Sequence, residues 1–170
     1  HGTTLWHEVL SRADLVGNLL FSLKQGGWEP DRVLAHCGWG ESLPVRFVWP
    51  DVPLIVWPEL WLLPEHLGFG NDPSRGPVTT TATLSNLGRN ILHEASLAQA
   101  NAWILPTQHQ ANSFPLRYQG ENMHIIHEGI DCKFAVPDNN VVCKVRGIQI
   151  DRNTPTITFV NRNLERLRGF

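Results

Sequence analysis

The chain predicts an α/β fold, a doubly wound parallel sheet flanked by helices. Two short apolar runs, Trp103-Ile104-Leu105 and His124-Ile125-Ile126, flank a segment long enough for a crossover helix, which argues for parallel strands rather than a hairpin. Strand-like and helix-like periods alternate along the chain with short connections. Each apolar run ends in polar residues or Gly, at the carboxyl edge where such sheets bind ligands.

The first helix is read from Leu5, Val9, Ala13, Val16, Leu20 and Leu23, which recur at helical spacing until Gly26-Gly27 closes the run. After a turn through Asp31, Val33-Leu34-Ala35 forms a short strand that delivers His36 to its end. Cys37-Gly38-Trp39-Gly40-Glu41 is a tight loop, followed by a short helix broken by Pro44. Leu54-Ile55-Val56-Trp57 is the second strand and ends at Pro58-Glu59. From Pro64 to Thr81 the pattern dissolves into Gly, Pro, Asn and Asp, as in a surface loop.

Helical spacing returns with Leu84, Leu87, Ile91, Ala95 and Ala98, an amphipathic helix whose apolar stripe should face the core. It feeds the strand at Trp103. Met123 to His127 is the fourth strand, Cys132 to Pro155 reads as a linker, and Thr156-Ile157-Thr158-Phe159-Val160 as one more strand.

With 170 residues, 42% hydrophobic and 18% charged, the chain can bury one good core. Its net charge is -2 and its basic residues are scattered, so nucleic acid is not an expected partner. Cys37, Cys132 and Cys143 form no CxxC pair, and an odd count fits a reducing cytoplasm. No apolar run approaches the ~20 residues that cross a bilayer, which leaves room only for a peripheral membrane contact. The chain opens at His1 and stops at Phe170 just after a strand, so it is expected to be a piece of a longer protein.

His124 and His127 lie three apart on a strand and point to opposite faces, and no HExxH or Cys/His cluster exists, so no metal is expected. His36 sits at a strand's end beside Gly38 and Gly40, whose backbone can approach a ligand closely, and the helix that follows could offer its N-H groups to an anion. The alternative is a histidine satisfied at a strand end, and the alternative for Glu41 is a first-turn carboxylate favoured by the helix dipole. Glu59 lies between Trp57 and Trp61, and an aromatic face beside a carboxylate suits a sugar; the alternative is that these rings are core. Thr107 has a sufficient role as an N-cap, which leaves Gln108 unexplained. Glu128-Gly129 ends the fourth strand in a turn, with its carboxylate toward the cleft.

Together these motifs carry a resemblance. Pro106-Thr107-x-x-Gln110-x-x-x-Phe114-Pro115, then Ile126-His127-Glu128-Gly129-Ile130-Asp131, then Val160-Asn161-Arg162-Asn163-Leu164-Glu165 closing in Arg168-Gly169-Phe170, resemble bacterial glycosyltransferases of family four, which have the GT-B fold. The loop His36-x-Gly38-Trp39-Gly40-Glu41 resembles the same group. The match spans residues 30–170, with several motifs in the same order.

The resemblance implies two Rossmann-like domains facing across a cleft, the first for the acceptor and the second for the nucleotide sugar. It implies transfer, with retention, from a nucleotide-diphosphate sugar to a saccharide or lipid-linked acceptor. His36 and Glu128 then stand as catalytic candidates, and Gly38, Trp39, Gly40, Glu41, Glu59, Thr107, Gln108 and Gly129 as substrate-binding ones. Arg162 and Arg168 match the cationic pair on the donor's phosphates, where two cations would stabilise the leaving diphosphate with no metal cofactor. Residues 1–150 would be the first domain without its first strand and glycine-rich loop, and 151–170 a linker and the second domain's first strand. The acidic pair that holds the donor sugar would lie beyond Phe170, so the chain alone is expected to show no turnover. A non-catalytic binding or scaffold domain, or a nucleotide-sugar epimerase or phosphorylase on the same fold, are the competing expectations.

Overall fold

The computed structural model describes residues 2–161. They fall into two compact units, divided between His127 and Glu128. The first unit runs α1 (Gly2–Gln25), β1 (Val33–His36), α2 (Val45–Val48), β2 (Leu54–Trp57), a 3-10 turn at Pro64–Leu67 and α3 (Thr80–Leu97). It continues through β3 (Ala102–Leu105), α4 (Gln108–Ser113), a second 3-10 turn at Leu116–Tyr118 and β4 (Met123–Ile125).

The four strands form one parallel sheet in the order β1-β2-β3-β4, in the Rossmann-like α/β arrangement the sequence predicts. His36 pairs with Trp57, Val56 with Trp103 and Leu105 with Ile125, so all four carboxyl ends share one edge. The order does not reverse among the described strands, and a topological switch point is not among them.

The two central strands hold the core, because only they have neighbours on both sides. Leu54, Val56, Trp103 and Leu105 are buried and pack with Cys37, Val45, Leu97 and Phe114. Each such side chain contributes roughly 1.5–3 kcal/mol. On the edge strands Leu34 and Ile125 stay exposed. Arg46 of α2 ties the layers together by donating to the carbonyls of Gln99, Pro50 and Val52 and to Asn101 Oδ1, which also accepts from the Leu54 amide.

Several expectations are corrected. Pro44 starts α2 as its N-cap rather than breaking it, since a proline's missing N-H costs nothing there. The segment Pro64 to Thr81 is not all loop, because it holds a 3-10 turn and the start of α3, where Thr79 caps the Ala82 amide. β4 ends at Ile125, and beyond the Ile126 amide bonded to Leu105 the chain leaves the ladder, so His127 is not on the strand.

The largest correction concerns α3. Leu84, Leu87, Ile91, Ala95 and Ala98 are all exposed, while Ala82, Asn86, Asn90, Leu92, His93, Ser96 and Leu97 are buried. The apolar stripe points away from the core. In α1 the middle of the stripe behaves as predicted, with Val9 buried and Ala13, Val16 and Leu20 half-buried, while Leu23 at its end is exposed.

In the second unit the stretch read as a linker contains a hairpin, β5 (Cys143–Val145) and β6 (Ile148–Ile150). Its two-residue turn, Arg146-Gly147, has φ of 49° and 82°, the handedness that matches a hairpin's twist. Thr156 to Val160 forms no strand, since no described strand pairs with it and Ile157 and Val160 are exposed. Arg162 and Arg168 lie outside the described residues.

Candidate functional site

The loops after β1 and β2 meet on the carboxyl edge of the sheet. Gly40 has φ of 102°, and a Cβ there would stand 2.6 Å from the Val9 carbonyl, so only glycine lets α1 pass this close. The Gly38 amide donates to His36 Nδ1 at 3.2 Å. That bond needs a lone pair on Nδ1, so the neutral ring carries its proton on Nε2. Nε2 faces Glu59 Oε1 at 3.4 Å. Glu59 holds φ of 59°, a left-handed conformation that a non-glycine residue adopts at a cost of roughly 1 kcal/mol or more.

Between these loops and α3 lies an open cavity of about 170 Å³, lined among others by Gly38, Trp39, Glu59, Leu62, Arg89 and His93. Trp39 is exposed, and the guanidinium groups of Arg12 and Arg89 stand 5.8 and 5.9 Å from its ring centre. Arg12 is held by Glu41 Oε1 at 3.1 Å, while Glu41 Oε2 is buried without a hydrogen-bond partner.

Beneath the cavity is a buried polar cluster. Cys37 Sγ lies 3.5 Å from His93 Nδ1. The Ser42 hydroxyl donates to Ser96 Oγ at 2.8 Å, and Ser96 donates to the Leu92 carbonyl at 2.9 Å. Burial pushes the Cys37 thiol up to about 12, and pushes His93 down to about 4, with nearby His36 and Arg89 adding to the effect. Both groups are therefore neutral at pH 7. Asn90 secures the loop above by accepting from the Leu62 amide at 2.9 Å and donating to the Leu62 carbonyl at 2.8 Å.

Of the residues singled out in the sequence, Gly38, Trp39 and Glu59 line the cavity and His36 touches it through Glu59. Gly40 is buried beneath α1 and Glu41 turns to Arg12. Thr107 accepts from the Gln110 amide as the N-cap of α4, and Gln108 bonds Asn112 on its own helix. Both are exposed at the end of β3, and neither lines the cavity. Glu128 and Gly129 belong to the second unit and are exposed.

Of the two readings of the tryptophans, Trp61 follows the core one. Trp61 is buried against Phe114 and Tyr118, with ring centres 5.6 and 5.7 Å apart, and serves the core. Trp57 is half-buried, and the ring offered to the cavity is Trp39. The anion site expected at the helix after the glycine loop is also removed, because α2 has four residues and cannot carry a useful dipole. Among the described residues no three His, Cys, Asp or Glu side chains converge as metal ligands. No described helix is long and apolar enough to cross a membrane.

Arg89 and His93 were missed by sequence reasoning. The available signal was the polar spacing Asn86, Asn90, His93 at four and three residues, on the side of α3 opposite Leu84 and Leu87. The assembled groups suit a polyol with one apolar face. Trp39 offers a stacking surface, Glu59 accepts hydrogen bonds, and Arg89 donates them.

A family model described as glycosyl transferase family 4 group matches residues 1–135, a span that takes in the whole cavity. No curated protein and no solved structure matches the chain.

Proposed function

The chain belongs to the glycosyl transferase family 4 group, and from that premise we propose that the cavity beside Trp39 holds the sugar acceptor. The carrying observation is that the exposed Trp39 ring, with the Arg89 guanidinium 5.9 Å from its centre, lines one opening together with Glu59. A sugar stacks its apolar face on such a ring, and its hydroxyls bond to the groups around it.

The reaction we propose is transfer, with retention, of a sugar from a nucleotide-diphosphate donor to a saccharide or lipid-linked acceptor. The bond from the anomeric carbon to the diphosphate breaks, the acceptor oxygen bonds to that carbon, and the acceptor's hydroxyl proton leaves with the diphosphate. His36 takes part by holding Glu59 through its Nε2-H, so that Glu59 meets the acceptor hydroxyl in a fixed direction. Glu128 stays a catalytic candidate and Gly129 a substrate-binding one, and Arg162 and Arg168 are assigned to the diphosphate, where two cations stabilise the developing charge without a metal. On this reading the enzyme works in the cytoplasm, in peripheral contact with membrane when its acceptor is lipid-linked.

Titration of the chain with mono- and oligosaccharides, read by Trp fluorescence, tests the acceptor site. Saccharide binding that weakens at least about tenfold in Trp39→Ala and Glu59→Gln is expected. Binding untouched by both substitutions would remove the cavity from the reaction. Release of nucleoside diphosphate from a panel of nucleotide sugars, with and without acceptors, separates a transferase from an epimerase, which needs no acceptor.

A further inference from the structure

We infer that His93 is a specificity-determining residue of the cleft, presenting a neutral Nε2-H to one hydroxyl oxygen of the bound sugar, and that Cys37 is the positioning residue that fixes this tautomer. The inference rests on the saccharide reading of the cavity.

His93 is 5% exposed, yet its ring forms part of the cavity lining. It stands beside Trp61 and Phe114, ring centres 6.5 and 6.4 Å away, and turns its Cε1 edge toward Gly38, which also lines the cavity. Its Nδ1 is taken by Cys37 Sγ at 3.5 Å, leaving Nε2 as the ring nitrogen free for a ligand.

The direction of the proton follows from the buried cluster. The Cys37 thiol, pushed up to about 12, keeps its hydrogen across the neutral range. Its other polar neighbour, Ser96, already receives the Ser42 hydroxyl and spends its own proton on the Leu92 carbonyl. Ser96 thus has no proton left for the thiol sulfur, and we place the thiol hydrogen on His93 Nδ1 rather than on the second lone pair of Ser96 Oγ. A neutral imidazole has a single N-H, which must then sit on Nε2.

A buried neutral donor discriminates in a way the other cavity groups do not. Glu59 is 64% exposed at its side chain and can fall back on water, as can Arg89 at the rim. Nε2-H has no such alternative once a ligand covers it. A sugar lacking the matching hydroxyl leaves the donor unpaired, and such mismatches are rejected more strongly than lost contacts at exposed groups.

The test is nitrogen-15 NMR of the histidine rings in the labelled chain, followed by titration with methyl hexosides and their monodeoxy counterparts. The expected spectrum has His93 as the Nε2-H tautomer at pH 7, retained in Cys37→Ser, whose hydroxyl still donates, and mixed in Cys37→Ala. One monodeoxy sugar should bind about tenfold more weakly than its parent in the wild type and Cys37→Ser, with the difference reduced in Cys37→Ala. An Nδ1-H tautomer in the wild type overturns the inference, and that measurement needs no variant to fold. Sugars that change Trp39 fluorescence without moving the His93 resonances overturn it while leaving the acceptor site standing. Sugars that change neither overturn both.

Discussion

Helices α1 and α3 were predicted by the same rule, and only one obeys it. In α1 the residues at apolar spacing, Val9, Ala13, Val16 and Leu20, turn inward. In α3 the predicted stripe of Leu84, Leu87, Ile91, Ala95 and Ala98 faces out, and the inward face mixes Asn86, Asn90, His93 and Ser96 with Ala82, Leu92 and Leu97. The neighbours explain the difference. α1 packs on α2 and on the close approach at Gly40, where little backbone is left unpaired. α3 instead lies under the loops after β1 and β2, whose irregular backbone and side chains need partners. It supplies them, with Asn90 to Leu62, His93 to Cys37 and Ser96 to Ser42. Asn86, buried on the same face, has no hydrogen-bond partner, and we have no physical account of it. Hydrophobic periodicity finds the inward face where a helix meets regular structure, and misleads where it supports a site.

The contrast is broken most directly at Asn90. Asn90→Leu offers an apolar side chain of similar size, which a core-facing position would accept. At this position it orphans the Leu62 N-H and C=O, each a group whose unpaired burial costs about 1–3 kcal/mol. The expected loss is about 3 kcal/mol in urea denaturation, together with a looser loop above the cavity. A loss below about 1 kcal/mol would mean that the polar face of α3 is incidental.

A second effect, of similar or smaller size, comes from pH. His93 has its folded value lowered from 6.5 to about 4, so below pH 6.5 the unfolded chain binds a proton that the native state refuses. Stability then falls as pH drops from 6.5 to about 4, by at most about 3 kcal/mol, and levels off below. The thiol of Cys37 works at the other end, where its raised value costs stability as pH climbs from 9 toward 12. Glu94, held below its ordinary value chiefly by Arg117, adds its own loss only below pH 4.5, so His93→Phe should flatten the limb between pH 6.5 and 4.5. An acid limb unchanged in that variant would assign it to other groups and weaken the case for a neutral histidine under the cleft.

The same contrast explains what could be read from the sequence. Leu54-Ile55-Val56-Trp57 and Ala102-Trp103-Ile104-Leu105 were legible because central parallel strands, covered on both faces, are continuous apolar runs. His36, Gly38, Trp39 and Glu59 were legible because residues just past such strands fall on the ligand edge. Thr107 was legible as a cap by its chemistry. Arg89 and His93 were hidden on a helix whose louder signal, Leu84 and Leu87, marked the wrong side. The hairpin at Arg146-Gly147 was hidden because arginine at positive φ is no turn signal, unlike Asn or Asp before Gly. Thr156 to Val160 showed the reverse error, since β-branched residues make a strand only when a partner is there to pair with.

The smallest expected effect decides most about α3. Leu84, Leu87 and Ile91 are 60%, 52% and 42% exposed. Glutamine has nearly leucine's helix propensity, so Leu84→Gln, Leu87→Gln and Ile91→Gln change the outward surface and little else. Each should alter stability by no more than about 0.5 kcal/mol. If the stripe faced a core, each would instead forfeit much of the roughly 1.5–3 kcal/mol that burying such a side chain brings. Losses of that size in dilute protein would show that the apolar face of α3 is covered in solution. Losses that appear only as concentration rises would make the cover another copy of the chain. Neutral results at every concentration, set beside a damaging Asn90→Leu, would establish that this helix is held to the protein by the face that carries Asn90, His93 and Ser96 beside Leu92 and Leu97.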